Sequence, residues 1–279
     1  MEVCGHVVTG VGERMSRASL SSAVSDISSG VSSWRIWTAL ALTDIRTRYR
    51  RSLIGQFWIT ISMGLTIAAL AVVYSQIFKI SLSVYVPLIT VSFICWGLLA
   101  SFVNDSAMVF LDAEGYIKTS TLAKATFIYR MIARNTIVFA HNLILIPIVM
   151  AIFRIVPDWH LLLFIPAFLL VLVNAVWIAL ILGPIAARFR DMPLMVSSLT
   201  QIAFFVSPVM WERKQLSAHG QLLLNANPFA VFLELLREPF LGRAPTAYHW
   251  AFAIVLAVAG WAVAILLYSR LRARIAFYL

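Results

Sequence analysis

The sequence predicts an all-α protein that crosses a membrane several times, and three observations carry that prediction. Of 279 residues, 61% are hydrophobic and only 12% charged, with a mean hydropathy of +0.89, well outside the composition of soluble domains. Six apolar runs approach the roughly 20 residues that a helix needs to cross the hydrocarbon core. A cluster of arginines, Arg46, Arg48, Arg50 and Arg51 in TDIRTRYRRSLIGQFW, stands directly before the first run. The formal net charge of +10 flanks apolar runs instead of forming a stripe on a soluble face. It therefore points to membrane orientation and anionic head groups, not to nucleic acid.

Taken in order, residues 1–32 are rich in Ser and Gly, hold no apolar core of signal-peptide length and read as a flexible tail. Ser32 or Ser33 can cap a helix over 33–50. On it Trp34, Trp37, Ala41, Ile45 and Tyr49 recur at steps of three and four, while Arg35, Arg46 and Arg50 fall on another face. That pattern describes a helix lying in the interface plane. Gly55 then permits a sharp bend. The six spans are predicted at about 57–78, 86–107, 128–152, 161–185, 194–211 and 248–269.

An even number of spans puts both termini on one side. That side holds sixteen of the 22 Lys and Arg residues, so the positive-inside rule makes it the cytoplasm. The opposite side then receives 79–85, 154–160 and the long stretch 212–247. The last is too apolar for an ordinary loop yet is broken at Asn227-Pro228 and Glu238-Pro239. It reads as two short helices, either dipping into the outer leaflet over a passage or resting on the surface. Cys4 and Cys95 fall in different environments and make no plausible pair.

No GxxxxGK[ST] phosphate loop occurs, which excludes ATP hydrolysis by that route. The 12 acidic residues fall in tails, loops or span ends, which argues against a proton-coupled bundle. The five histidines show no zinc spacing, so no metal site is expected. Trp58, Trp96, Trp159, Trp211 and Trp250 sit at span ends and read as interface anchors.

The third span carries a polar stripe of Arg130, Arg134 and His141, with Asn135 and Asn142 one position round. Two readings stand for it: a lining for anionic or hydroxyl-rich cargo, or arginines snorkelling to lipid phosphates while the amides bond between helices. His141 is expected too far in to snorkel. The 108–127 loop, with Asp112, Glu114, Tyr116, Ile117, Lys118 and Lys124, is long enough for a short amphipathic helix that docks on a soluble partner.

Four segments carry a resemblance to a known family: DIRTRYRRSLIGQFW (44–58), RNTIVFAHN (134–142), RFRDMP (188–193) and NPFAVFLELLR (227–237). In this order, spaced through six spans, they resemble the membrane (permease) subunit of ABC-2 type polysaccharide exporters, those that move O-antigen, capsule or teichoic acid precursors. RNTIVFAHN most resembles the O-antigen branch. The resemblance covers the chain from about Trp34 onward and implies a domain over 33–279.

It also implies a homodimer joined to two copies of a separate ATPase subunit, which would bind the ATP and Mg. The cargo would be a lipid-diphosphate-linked glycan, moved out of the cytoplasm across the bacterial inner membrane. An interface helix would hold Trp34, Trp37, Arg46, Arg48, Tyr49, Arg50 and Arg51, with Gly55 as its elbow. ATPase coupling would fall to Asp112, Glu114, Tyr116, Lys118 and Lys124, and a periplasmic gate over 212–247 to Asn227, Pro228, Glu234 and Arg237. The other classes are a membrane-embedded glycosyl or phosphoglycosyl transferase, with Asp44, Asp112 and Glu114 as its candidate acids, and an ABC-2 exporter of small lipids or drugs.

Overall fold

The computed structural model describes residues 20–48, 55 and 57–279, and among these it contains helices and no strand. In chain order the helices are α1 (20–32), α2 (Trp34–Arg48), α3 (Phe57–Phe78), α4 (Leu82–Met108), α5 (Glu114–Thr119), α6 (Ala125–Leu143), α7 (Leu145–Ile152) and α8 (Phe164–Arg188). They continue as α9 (Met192–Val206), α10 (Ala218–Ala226), α11 (Pro228–Arg237), α12 (Ala247–Leu271) and α13 (Ile275–Tyr278).

The hub is α4. Of its apolar window 61% is buried, against 17% for α3 and 22% for each of the other long helices. Around it pack α3, α6, α7, α8, α9 and α11, and α12 closes against the far side of α8. That last seam is made by size. Ala253, Ala257, Gly260 and Ala264 form a buried stripe of small residues on α12, which lets two backbones approach where lipid supplies no hydrophobic drive. The Trp177 indole lies over Gly260 so closely that an added Cβ would come within 2.3 Å of it. The outward faces stay apolar, with Leu65 on α3, Leu199 on α9 and Val258 on α12 all strongly exposed, as lipid-facing helices require.

Five helical segments are long and apolar enough to cross a membrane: Phe57–Phe78, Leu82–Met108, Ala125–Ile152, Trp159–Arg188 and Ala247–Tyr278. The third is interrupted at Ile144, between α6 and α7. Pro147 has no N–H for the Leu143 carbonyl one turn back, which explains the break.

The expected continuous helix over 194–211 is corrected. It stops at Val206 after 15 residues, about 22 Å at the α-helical rise. Ser207 adopts extended backbone (φ −97°, ψ 150°), the conformation that a following proline, here Pro208, imposes. The chain then runs on without helix from 207 to 212. Its carbonyls find donors: Arg237 Nη1 donates to Pro208 O at 2.6 Å, and the Tyr85 hydroxyl to Met210 O at 2.8 Å.

The expectation of a flexible tail over 1–32 is corrected for its described part. From residue 20 the chain is helical, because Ala23, Asp26 and Gly30 share a face that packs onto the bundle. Ala23 is fully buried and Gly30 meets Ala125 and Tyr129. Residues 1–19 lie outside the described residues.

Candidate functional site

At the end of the bundle where α1, α5 and the last turn of α12 meet, here the basal end, a chain of ion pairs joins four elements. Arg130 on α6 donates to Asp44 on α2 through both arms of its fork, Nε to Oδ2 at 2.7 Å and Nη2 to Oδ1 at 2.5 Å. One turn on, Arg134 donates to Asp105 near the end of α4 at 2.9 Å. It also lies 3.8 Å from Asp44 and 4.0 Å from Asp112. Bidentate guanidinium–carboxylate pairs fix orientation as well as distance. Burial pushes the Asp112 carboxyl up, with Arg134 opposing and Asp105 adding to the shift.

Arg130 also lies over the Tyr116 ring of α5, 5.1 Å from its centroid, and Tyr116 packs near Phe127. Helix α2, the turn before α5, α5 itself and α4 are thereby all held by two arginines of α6. On α5, Glu114 and Lys118 pair at 2.6 Å on an exposed face, and Tyr116 is 44% exposed. Lys124, at the start of α6, donates to the Arg272 carbonyl at 2.7 Å. Burial lowers the Lys124 ammonium, and Arg272 adds to the effect.

The five stripe residues do not line one cavity. The cleft that Arg130 and Arg134 border with Val109, Asp112, Phe127 and Met131 is about 10 Å³, room on the order of a single water. Both guanidinium groups already face carboxylates. Asn135 is buried with its amide toward Met131 Sδ at 3.5 Å. The Oδ1 of buried Asn142 has no hydrogen-bond partner.

His141 bonds its own helix at Ile137 O, 2.7 Å, and lies edge-on to Phe57. Its carbonyl accepts from Thr60 at 3.2 Å. It thus sits beside the first turn of α3 and not deep along it, because α6 extends basally past α3 to pack along α2.

On α2, Trp34 is exposed beneath the Arg35 guanidinium, while Trp37 packs near Tyr129 with ring centroids 6.3 Å apart. Arg46 and Arg48 are exposed in its last turn. Tyr49, Arg50 and Arg51 lie outside the described residues. Gly55 holds a left-handed φ of +62°.

At the opposite, distal end a second polar cluster forms around a cavity of about 490 Å³. Asn227 caps α11, accepting from Phe229 N at 3.0 Å and donating to Ser207 Oγ at 3.0 Å, and Pro228 occupies the first helical position. Glu234 is buried and accepts from Arg213 Nε and Nη2 at 3.0 and 2.6 Å and from His249 Nε2 at 2.9 Å. Thr246 N donates to His249 Nδ1 at 3.3 Å, which leaves the ring proton on Nε2, facing Glu234. Arg237, 2% exposed, donates to Ser92 Oγ and Pro208 O through Nη1, and lies 3.4 Å from Glu238. At the rim Glu212 pairs with Lys214 and Arg243. Burial alone would raise the Glu212 carboxyl, but those two cations hold it below the usual range.

Sequence reasoning marked Asn227, Pro228, Glu234 and Arg237, and the fold brings them into one region. It missed Arg213, His249, Asp105 and Asp26, whose partners lie far off along the chain. Each acid weighed for catalysis lies beside a cation. Asp44 is occupied by Arg130, Asp112 faces Arg134, and Glu114 pairs with Lys118. Among the described residues no group of three or more His, Cys, Asp or Glu side chains could hold a metal ion.

Residues 36–241 match the family described as ABC-2 type transporter. The O-antigen export system permease protein RfbA of Myxococcus xanthus is 22% identical over 236 residues, covering 83% of this chain and 91% of the relative.

Proposed function

We propose, from the premise that the chain belongs to the ABC-2 type transporter family, that it forms the passage of an ATP-driven exporter of a lipid-diphosphate-linked polysaccharide, O-antigen above the other classes. The family is one of transporters, so the chain is a multi-pass membrane transport subunit and not an enzyme. The finer reading makes it a homodimer in the bacterial inner membrane, driven by two copies of a separate ATPase subunit that holds the ATP and Mg. Both termini would be cytoplasmic.

The observation that carries the proposal is the basal ion-pair chain. A soluble motor needs a handle on the membrane domain, and a short exposed helix fits a groove on such a partner. Here α5 presents Glu114, Tyr116 and Lys118 outward, while its own base and the interface helix α2 are bolted through Arg130 and Arg134 to α4, the hub. A displacement of α5 is then delivered to the walls of the bundle. The distal helices α10 and α11 stand over the broken end of α9, where a gate would be needed. The glycan part of the proposal rests on the named relative and on the segments that resemble the O-antigen branch.

The test is genetic and biochemical together. Deleting this chain, or the ATPase that purifies with it, is expected to leave lipid-linked glycan inside the cell and remove it from the surface. The purified chain alone is expected not to hydrolyse ATP. Normal surface glycan in both deletion strains, with altered efflux of a small lipid or drug, would replace the glycan reading by the other ABC-2 cargo.

A further inference from the structure

Asp26 is a buried carboxylate that accepts four hydrogen bonds, in a helix to which no role has been given. It lies outside residues 36–241, as do two of its partners, Tyr268 and Arg272. It is 8% exposed. Oδ2 accepts from Ala125 N at 3.0 Å and from the Tyr268 hydroxyl at 2.7 Å, while Oδ1 accepts from Lys124 N and Arg272 Nη1, at 3.3 and 3.2 Å. One side chain on α1 therefore caps the N-terminus of α6 from outside that helix and binds the last turns of α12.

Each part of this arrangement follows from elementary chemistry. The first N–H groups of a helix have no partner within it, and a carboxylate there also meets the positive end of the helix dipole. Arg272 brings the compensating charge, without which a buried carboxylate would be costly. Lys124 adds a second tie by donating to the Arg272 carbonyl. Gly30 allows α1 to come close enough, since a Cβ there would stand 2.9 Å from Ala125 and from Tyr129.

The position of this knot matters more than its strength. Residues 120–124 are all that separate α5 from the start of α6. The segment that carries α5 is thus held at its beginning by Asp112 against Arg134 and at its end by Asp26. The first tie leads to α4 and α2, and the second leads to α12. Asp26 supplies four of the polar contacts gathered at this junction, and without it the Lys124–Arg272 tie is left to hold the start of α6 to the end of α12 when α5 is displaced.

We propose that Asp26 is a positioning residue for energy coupling: it makes the start of α6 and the end of α12 move as one body, so that a push on α5 reaches both. The proposal rests on the transport reading above for its function, but the clamp itself can be measured without it. Asp26→Asn keeps the shape and removes the charge. Asp26→Glu keeps the charge on a longer arm.

Hydrogen exchange of the full chain in lipid nanodiscs tests the clamp. In Asp26→Asn the amides of residues 124–127 are expected to exchange about tenfold faster, the size of a lost cap, while α3 and α8 exchange as before. Unchanged exchange at 124–127 would sink the clamp whatever the cargo.

The reconstituted complex with its ATPase tests the coupling. Assembly and ATP hydrolysis are expected to stay within about twofold of the parent chain, while export per ATP falls by about fivefold or more, in the range of ordinary coupling energies, and Asp26→Glu recovers part of it. Loss of assembly together with export would make Asp26 a docking or folding residue and overturn the proposal. So would faster exchange with export per ATP intact. If the parent complex moved no glycan, the transport reading would fail while the exchange result still decided the clamp.

Discussion

Arg237 shows what a single buried cation does in this protein. It is 2% exposed and supplies the donor for the Pro208 carbonyl, at the point where α9 has ended and the backbone has no helical partner. Two residues on, Tyr85 performs the same service for Met210. In an apolar surrounding an unpaired carbonyl costs several kcal/mol, so these donors explain why irregular backbone persists there. Arg237→Met would strip that carbonyl, Ser92 and the Glu234 carboxylate of a partner together. The expected loss is about 3–5 kcal/mol, as for other broken buried pairs, against about 1 kcal/mol for Tyr85→Phe. Thermal melting in detergent checks the order, and since both donors hold one short segment the double variant should lose less than the two losses added. An Arg237→Met protein as stable as its parent would show that the 207–211 segment is held by something else.

At the scale of elements, Gly55 separates a passive anchor from a working lever. It stands between α2, which follows the cytoplasmic-side arginine pattern, and α3, and its φ of +62° lies where an L side chain costs roughly 1–2 kcal/mol. Nothing lies within 4 Å of a Cβ built there, so any penalty is one of backbone and not of clash. Gly55→Ala is therefore expected to insert and accumulate normally but to export less. Gly55→Asn, which tolerates the left-handed region, should fall between the two. Surface glycan scored against membrane abundance makes the comparison, and normal export in Gly55→Ala would return α2 to an anchor.

The same scale shows what the sequence could say. Amphipathic spacing placed the start of α2 to within one residue, and the apolar run placed α3 at 57–78, since both are written in local pattern. The 212–247 stretch was legible as two short helices from its prolines. Three features were not. Helix α9 ends early because of Pro208, whose effect on a still apolar run is invisible to hydropathy. Helix α1 reads as tail because Ser and Gly are poor helix formers, and its order comes from Ala125, Tyr268 and Arg272, far along the chain. The stripe of Arg130 and Arg134 looks free in sequence only because Asp44 and Asp105 meet it through the fold.

For the whole molecule, the contact of Asp26 with Tyr268 and Arg272 bears on how many times the chain crosses the membrane. Five helical segments are long and apolar enough to cross, and an odd number would put α1 and the end of α12 on opposite sides. Yet those two ends are hydrogen-bonded to each other, which predicts an even number. The further crossing is predicted at residues 192–211, as helix α9 followed by the non-helical segment that Arg237 and Tyr85 hold. The segment lies against α4, where Ser92 shares Arg237 with Pro208 and Tyr85 binds Met210. Single cysteines in a chain free of Cys4 and Cys95 test this with a membrane-impermeant reagent added outside intact cells or spheroplasts. Lys214→Cys, at a position 75% exposed, is expected to react. Gly115→Cys on α5 and Phe277→Cys, at a position 87% exposed near the end of the chain, are expected to react only after lysis. The reverse pattern for positions 214 and 277, protection of the first and labelling of the second, would mean that 192–211 turns back without crossing and that α1 and α12 do not meet in the membrane-embedded protein.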